Sequence, residues 1–136
     1  MIAYRIIIVD DEPCIRDSIV MYLENFGFEV VTAEDPTVCE ALAQNHMCVQ
    51  EQACGDIILV DQHMPNMTGI EFIERRVKRG CKGVLTQTAL MSGYLSECER
   101  EKLDSLGCHY FEKPVALKTI KAWIEKVLQT ENPCLH

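Results

Sequence analysis

The chain carries carboxylates directly after two short apolar runs, where a sheet protein places reactive groups. Asp10, Asp11 and Glu12 follow the first of these runs, and Asp61 follows the run 57–60. Clustered carboxylate oxygens suit a hard divalent cation such as Mg²⁺, which keeps several waters beside one or two carboxylates. Such an ion would also reduce the repulsion around any phosphoryl group transferred to Asp61. The residues therefore predict a magnesium-dependent site.

Two further polar residues are expected at the same edge of the sheet. Lys113 follows a predicted strand at 108–112, and Thr88 ends one at 83–88. A lysine pairs with a phosphoryl oxygen as a point charge, and a threonine hydroxyl can donate to another. Thr88 also has a structural explanation, because threonine is common in strands, and Asp61 taken alone could cap a turn. The acidic residues together with Lys113 are not readily explained in this way.

Short apolar runs alternate along the chain with segments of helical spacing. Strands are predicted at 4–9, 28–33, 57–61, 83–88 and 108–112. Helices are predicted to begin near residues 13, 36, 69, 97 and 117. Two of these starts carry capping-box pairs, Thr68 with Glu71 and Ser96 with Glu99.

This alternation predicts an α/β fold with right-handed crossovers. The expected architecture is a five-stranded parallel sheet in the order 2-1-3-4-5, doubly wound with five helices, in a flavodoxin-like topology. That order places the first and third strands side by side at the switch point, where ligands bind beyond the strand ends. Asp10, Asp11 and Asp61 are thereby expected to form one site.

Length and composition limit the class of protein. The 136 residues predict one domain, 1–136, with residues from about 130 to 136 as a frayed tail. The N-terminus lacks a signal-peptide layout and no apolar run has membrane length, which predicts a cytoplasmic protein without membrane association. The net charge of −8 argues against nucleic-acid binding. The basic cluster at 74–79 is explained by a solvated helix face.

Eight cysteines are scattered along the whole chain. No pair has the C-x-x-C spacing of a zinc site, and disulfides are not expected in a reducing cytoplasm. Free thiols that pack as small hydrophobes or lie at the surface are therefore predicted.

Five short motifs, taken in order, resemble the response-regulator receiver domain of two-component signalling. They are Ile-Ile-Ile-Val-Asp-Asp-Glu-Pro (6–13), Ile-Ile-Leu-Val-Asp (57–61), Met-Pro-Asn-Met-Thr-Gly (64–69), Thr88-Ala89 and Lys113-Pro114. The resemblance covers essentially the full length of the chain. It implies a phosphorylation switch rather than an enzyme, with at most an intrinsic autophosphatase activity.

The resemblance also implies roles for individual residues. Asp61 would be the phosphoacceptor and Asp11 a direct Mg²⁺ ligand. Asp10 would act on the ion largely through water. The backbone carbonyl of His63 would complete the protein ligands.

Further roles follow from the same resemblance. Thr88 and Lys113 would bind the phosphoryl group, and Tyr110 would be the rotating aromatic of the switch. Thr86 is an alternative to Thr88, although of these two only Thr88 is followed by a small residue. His63 and Leu90 would flank the path of the attacking water and set the lifetime of the phosphoryl group, with shielding favoured over water activation.

The implied phosphodonor is a histidine kinase or a histidine phosphotransfer protein. The implied target is a protein that binds the face formed by the fourth helix, the fifth strand and the fifth helix. The chain is either a stand-alone receiver or a receiver from a longer regulator. Two other interpretations remain open: an Asp-phosphate enzyme acting on a small substrate, and a flavodoxin-like electron carrier. The electron carrier is disfavoured because Asp10-Asp11-Glu12 would repel the phosphate of a bound flavin.

Overall fold

Five short strands form one parallel sheet in a computed structural model that describes residues 4–34, 47, 55–81 and 85–131. The strands are β1 (Arg5–Val9), β2 (Glu29–Ala33), β3 (Ile57–Asp61), β4 (Thr88–Ser92) and β5 (His109–Glu112). Their spatial order is β2-β1-β3-β4-β5, and every pairing is parallel. The predicted strand order is therefore confirmed.

Four α-helices lie in the described part of the chain. They are α1 (Pro13–Glu24), α2 (Gly69–Lys78), α3 (Glu97–Leu106) and α4 (Leu117–Glu131). The helix predicted to begin near residue 36 lies outside the described residues. Most of the predicted frayed tail, residues 132–136, lies outside them as well.

Helix boundaries follow the local capping chemistry. Thr68 precedes α2, and its side chain accepts a hydrogen bond from the backbone N–H of Glu71. At α3 the capping box of Ser96 and Glu99 is complete, as predicted. The helix ends at Gly107, whose φ of 78° is in the left-handed region that glycine adopts without strain.

The three inner strands β1, β3 and β4 are buried on both faces, which explains the continuous apolar runs of β1 and β3. One face packs against α1 and α4 through Ile6, Ile8, Ile57, Leu59, Ile19, Leu23, Ile120 and Ile124. The other face packs against α2 and α3 through Ile7, Val9, Ile58, Val60, Leu90, Ile70, Phe72 and Leu103. Successive residues of a strand therefore serve opposite layers of the core.

The predicted bounds of the fourth strand are wrong. Residues 85–87 form a short 3₁₀ turn, and β4 begins at Thr88 instead of ending there. The register pairs Thr88 with Ile58 and Met91 with Asp61. The sequence Ala-Leu-Met lacks the β-branched residues typical of strands, but all five residues of β4 are buried between β3 and β5. Burial in the sheet outweighs the weak local preference.

Four of the eight cysteines lie in the described residues, and all four are free thiols: Cys14, Cys81, Cys98 and Cys108. Burial raises the pKa of the Cys108 thiol to about 11, which makes it a poor nucleophile. Among the described helices, none is both long and apolar enough to cross a membrane.

Candidate functional site

Four carboxylates meet at the carboxyl ends of β1 and β3. Each of Asp10, Asp11, Glu12 and Asp61 offers an oxygen, and these oxygens all lie within 4.8 Å of one another. They converge because β1 and β3 are parallel neighbours, so the residues that follow Val9 and end β3 emerge side by side. Asp10 and Asp61 are buried, whereas Asp11 and Glu12 are exposed. The predicted clustering of Asp10, Asp11 and Asp61 is confirmed.

Hydrogen bonds hold the backbone and one carboxylate oxygen of Asp10, but the other carboxylate oxygen has no hydrogen-bond donor. Its backbone N–H donates to the carbonyl of Ala33 at 3.0 Å, and its own carbonyl accepts from Arg16 at 2.8 Å. Its Oδ1 accepts from the backbone N–H of Glu12 at 2.9 Å. Its Oδ2 is buried without a hydrogen-bond partner, and the Lys113 ammonium lies 3.6 Å away. A buried carboxylate oxygen without a donor is unfavourable, and a cation or its bound water would compensate it.

Lys113 brings a positive charge to the acidic cluster. Its Nζ lies 3.2 Å from Asp61 Oδ1 and 3.8 Å from Glu12 Oε1. Burial disfavours the charged ammonium, but the carboxylates of Asp10, Asp61 and Glu12 outweigh it and raise the pKa of Lys113. Lys113 is therefore a cation near neutral pH, within ion-pair distance of the buried Asp61 carboxylate.

Asp61 is 2% exposed and ends the central strand of the sheet. Burial raises its pKa above the ordinary value, and the Asp10 carboxylate adds to this effect. The Lys113 ammonium and the backbone N–H of His63, 3.4 Å from Oδ1, act in the opposite direction. The carboxylate is thus more basic than an exposed aspartate, which favours its use as a nucleophile.

The donor set fits Mg²⁺. All four side chains of the cluster offer the hard oxygen ligands that this ion prefers. The Asp10 Oδ2 without a hydrogen-bond donor gives a separate structural reason to expect a cation or its water. In the described part of the chain, this acidic group is the one candidate metal cluster, and it contains no cysteine or histidine side chain.

Thr88 does not lie at this site, which overturns the predicted placement. It opens β4, and four residues at about 3.3 Å each place it roughly 13 Å from the strand's carboxyl end. Ser92 occupies that end instead and is fully buried. Its carbonyl accepts from the backbone N–H of Lys113 at 2.9 Å. The sequence contained a signal for this residue, since Ser92 is followed by Gly93 just as Thr88 is followed by Ala89.

The Ser92 hydroxyl is engaged by its own loop in the described conformation. It donates to the carbonyl of Tyr94 at 2.7 Å and accepts from the Tyr94 backbone N–H at 3.2 Å. Tyr110 contacts the same residue, because its hydroxyl donates to the Ser92 carbonyl at 3.0 Å. The guanidinium of Arg100 lies over the Tyr110 ring, 5.1 Å from its centroid. Tyr110 is therefore adjacent to the end of β4, but through Ser92 and not through Thr88.

Leu90 also lies away from the predicted water path. It is fully buried in the core between β3 and β5, where its register partners are Val60 and Tyr110. The residue two positions beyond Ser92 is Tyr94, whose side chain is 75% exposed. His63, two positions beyond Asp61, is exposed and forms an isolated bridge with Thr68.

Gly69 allows the first turn of α2 to pass close over the site. A Cβ at this position would lie 2.7 Å from the carbonyl oxygen of Asp61 and 2.5 Å from Leu90 Cδ1. The Leu90 side chain could shift, but the backbone oxygen of Asp61 could not do so easily, so the close approach of α2 to the end of β3 favours glycine at position 69.

Comparison with known proteins agrees with this geometry. A family model described as the response regulator receiver domain matches residues 6–125. The phosphate regulon transcriptional regulatory protein PhoB of Escherichia coli strain K12 is 29% identical over 131 residues, which cover 96% of this chain and 54% of that protein. The sensor histidine kinase RcsC of Escherichia coli is 31% identical over 117 residues, 85% of this chain and 11% of that protein. The chain thus spans about half, or less, of these curated relatives.

Solved structures show the same fold. A CheY-like receiver domain protein from Methanospirillum hungatei is 29% identical, with a TM-score of 0.74 and coverage of 97% of this chain and 99% of that one. The chemotaxis protein CheY4 of Vibrio cholerae is 27% identical, with a TM-score of 0.72 and coverage of 93% and 99%.

Proposed function

Because the chain belongs to the family of response regulator receiver domains, which are signalling switches of two-component systems, we propose that it is switched by phosphorylation of Asp61. The single observation that carries the proposal is the placement of this buried carboxylate between an acidic cluster and a lysine. Its oxygen lies 3.2 Å from Lys113 Nζ. The acids hold a cation, the lysine neutralises a phosphoryl oxygen, and Asp61 supplies the nucleophile.

Mg²⁺ would be held by Asp11 and Asp61 directly, by Asp10 largely through water, and by the backbone carbonyl of His63. The bound ion supplies positive charge that offsets the negative charge of the incoming phosphoryl group. The buried Asp10 Oδ2, which has no hydrogen-bond donor, supports its place in this set. The exposure of Asp11 supports the view that an ion enters from solvent on its side.

In the transfer step, a carboxylate oxygen of Asp61 attacks the phosphorus of the donor. A new O–P bond forms on Asp61 while the bond from phosphorus to the donor's histidine nitrogen breaks, and the electron pair stays on that nitrogen. Lys113, already paired with Asp61, can move its ammonium to a phosphoryl oxygen without leaving the cluster. The positioning of these charges lowers the barrier, because phosphoryl transfer depends mainly on orientation and electrostatic stabilisation.

Ser92 replaces Thr88 as the hydroxyl that binds the phosphoryl group. Its position at the end of β4, next to the Lys113 backbone, supports this role. To donate to a phosphoryl oxygen, the hydroxyl must give up its hydrogen bond to the Tyr94 carbonyl. That exchange would rearrange the loop after β4 and change the surroundings of Tyr110, which contacts Ser92.

The phosphodonor is a histidine kinase or a histidine phosphotransfer protein, and the downstream target is a protein. The target would bind the face formed by α3, β5 and α4, which contains Tyr110. His63 and Tyr94, each two residues beyond a residue of the site, would shield the phosphoryl group from water and set the rate of intrinsic dephosphorylation. Neither an Asp-phosphate enzyme nor an electron carrier is favoured by the site or by the family.

Intact mass after treatment with acetyl phosphate and Mg²⁺ tests the proposal. The parent protein should gain the mass of one phosphoryl group, and Asp61→Asn should not. The matched control is Asp56→Asn, which changes an acid at the opposite end of the same strand. Equal labelling of Asp61→Asn would overturn the assignment.

A further inference from the structure

Gln62, the residue after the proposed phosphoacceptor, has an amide side chain that is 1% exposed. Its backbone is fixed on both sides, since its N–H donates to the Met91 carbonyl at 2.9 Å and its carbonyl accepts from Gly69 at 3.0 Å. Its side-chain Oε1 accepts from the backbone N–H of Ile70 at 3.0 Å. Its Nε2 donates to Glu99 Oε2 at 2.6 Å. Gln62 thus connects β4, the first turn of α2 and the first turn of α3.

Glu99, the partner of this contact, uses its two oxygens separately. Oε1 accepts from the backbone N–H of Ser96 at 3.0 Å and completes the capping box of α3, while Oε2 accepts from Gln62. The Ser96 backbone hydrogen bond is the main reason that the pKa of Glu99 is lowered, and contacts with Gln62 and His63 act in the same direction. The carboxylate is therefore ionised at neutral pH, and its contact with Gln62 is a charge-assisted hydrogen bond.

The loop from Ser92 to Ser96 is consequently held at both ends. At one end Ser92 is bonded to Tyr94, and at the other Glu99 anchors the start of α3 to the end of β3. The next helical residue, Arg100, lies over the Tyr110 ring. One turn of α3 therefore contacts both the neighbour of Asp61 and the aromatic residue beside Ser92.

We propose that Gln62 and Glu99 form a positioning pair that holds the first turn of α3 on the phosphoacceptor strand as a pivot, so that rearrangement of the Ser92–Ser96 loop turns α3 about this point as one rigid helix. The inference rests on the proposed function. Gln62 is the immobile partner because three other hydrogen bonds hold it. Glu99 attaches the first turn of α3 to this immobile side chain. Without the pair, the first turn of α3 absorbs the loop movement by fraying, and the signal does not reach the rest of the helix.

The test compares amide hydrogen exchange of residues 97–106 with and without phosphorylation. The variants are Gln62→Met, which keeps the side-chain length but removes both amide contacts, Glu99→Gln, and the double variant. Glu101→Gln is the matched control, because it removes a carboxylate from the exposed surface of the same helix. Acetyl phosphate with Mg²⁺ is the phosphodonor, and exchange is compared at equal phosphorylated fractions measured by intact mass.

Each single variant should reduce the phosphorylation-dependent change in exchange at least twofold, and the double variant should reduce it no further, because both remove one shared interaction. Glu101→Gln should respond like the parent. A full response in Gln62→Met, or strictly additive losses in the double variant, would overturn the inference. Should Gln62→Met fail to fold, Glu99→Gln decides by the same criterion. Failure of the parent to take up a phosphoryl group would instead contradict the proposed function.

Discussion

The ammonium of Lys113 lies 3.2 Å from Asp61 Oδ1, across the carboxyl ends of the central and edge strands of the sheet. The same ammonium is 3.6 Å from the buried Asp10 Oδ2, which has no hydrogen-bond donor. One lysine therefore balances two buried carboxylates, and the remaining negative charge accounts for the fit to a divalent cation.

Replacing Lys113 by methionine should slow the phosphorylation of Asp61. The variant loses a charge-assisted contact worth about 1.5–3 kcal/mol, which corresponds to roughly a 10- to 100-fold lower rate of labelling by acetyl phosphate. The rate is measured by intact mass over time. Lys118→Met, an exposed lysine at the start of α4, should label at the parental rate. Labelling of Lys113→Met at that rate would mean that the ammonium does not contact the phosphoryl group.

Ser92→Ala and Thr88→Ala separate the two hydroxyls of β4. Ser92→Ala should still accept a phosphoryl group but should lose the phosphorylation-dependent change in amide exchange around Tyr110, because no hydroxyl is attracted to the site. Thr88→Ala should keep that response, since its residue is four positions away at the other end of the strand. A response lost in Thr88→Ala and retained in Ser92→Ala would show that Thr88, and not Ser92, binds the phosphoryl group.

Asp11→Ala should weaken Mg²⁺ binding and phosphorylation together. Loss of an oxygen ligand should raise the dissociation constant by on the order of tenfold or more, as measured by titration calorimetry. The exposed Glu97, on α3, provides the control variant Glu97→Gln, which should bind Mg²⁺ normally. Undiminished phosphorylation in the presence of a chelator would show that the acidic cluster has another purpose.

Asp61→Asn should be more stable than the parent at neutral pH in the absence of Mg²⁺. Burial, then Asp10, raise the pKa of Asp61 in the fold. A carboxyl with a raised folded-state pKa stabilises the fold when protonated, and this contribution is lost as pH rises through that pKa. Removing the charge should therefore raise the free energy of unfolding by about 1 kcal/mol, which corresponds to an increase in Tm of roughly 2–5 °C.

The gain should shrink as pH falls toward about 4, where an unperturbed aspartate is itself half protonated. Thermal unfolding of both proteins from pH 4 to 8, with chelator present, gives the comparison. A difference in Tm that does not change with pH would show that the charge of Asp61 is not its cause.

His63→Ala and Tyr94→Ala should each shorten the lifetime of the phosphorylated protein, since each residue lies two positions beyond a residue of the proposed site and is proposed to shield the phosphoryl group from water. Decay of the phosphorylated mass after removal of the donor measures this. If His63→Ala instead loses its phosphoryl group more slowly than the parent, while Tyr94→Ala decays at the parental rate, the imidazole of His63 orients the attacking water. Leu90→Glu should fail by unfolding and should not act through the lifetime, because Leu90 is fully buried and a charge there has no partner.

The sequence alone predicted several strands, one helix start and the acidic cluster, because each of these features depends on local chemistry. Buried apolar runs predicted the strands β1 and β3, and the polar residue that ends each run predicted the acidic cluster of Asp10, Asp11 and Asp61. The Ser96 capping box predicted the start of α3. The five motifs in order implied the family, and with it the roles proposed for Asp61 and Lys113. Each of these inferences depends on residues that are close together in the chain or that share one repeated pattern.

Tertiary structure alone decided where β4 begins and which hydroxyl-bearing residue lies at its carboxyl end. Apolar residues occur on both sides of Thr88, and no local pattern distinguishes a strand that ends there from one that begins there. Pairing with the neighbouring strands settles the register, because residues 88–91 pair with β3 and residues 89–92 pair with β5. All five residues of β4 are buried in this register. Likewise, Gln62 and Glu99 are 37 residues apart. Their contact exists only because the sheet and α3 place two otherwise ordinary polar residues together.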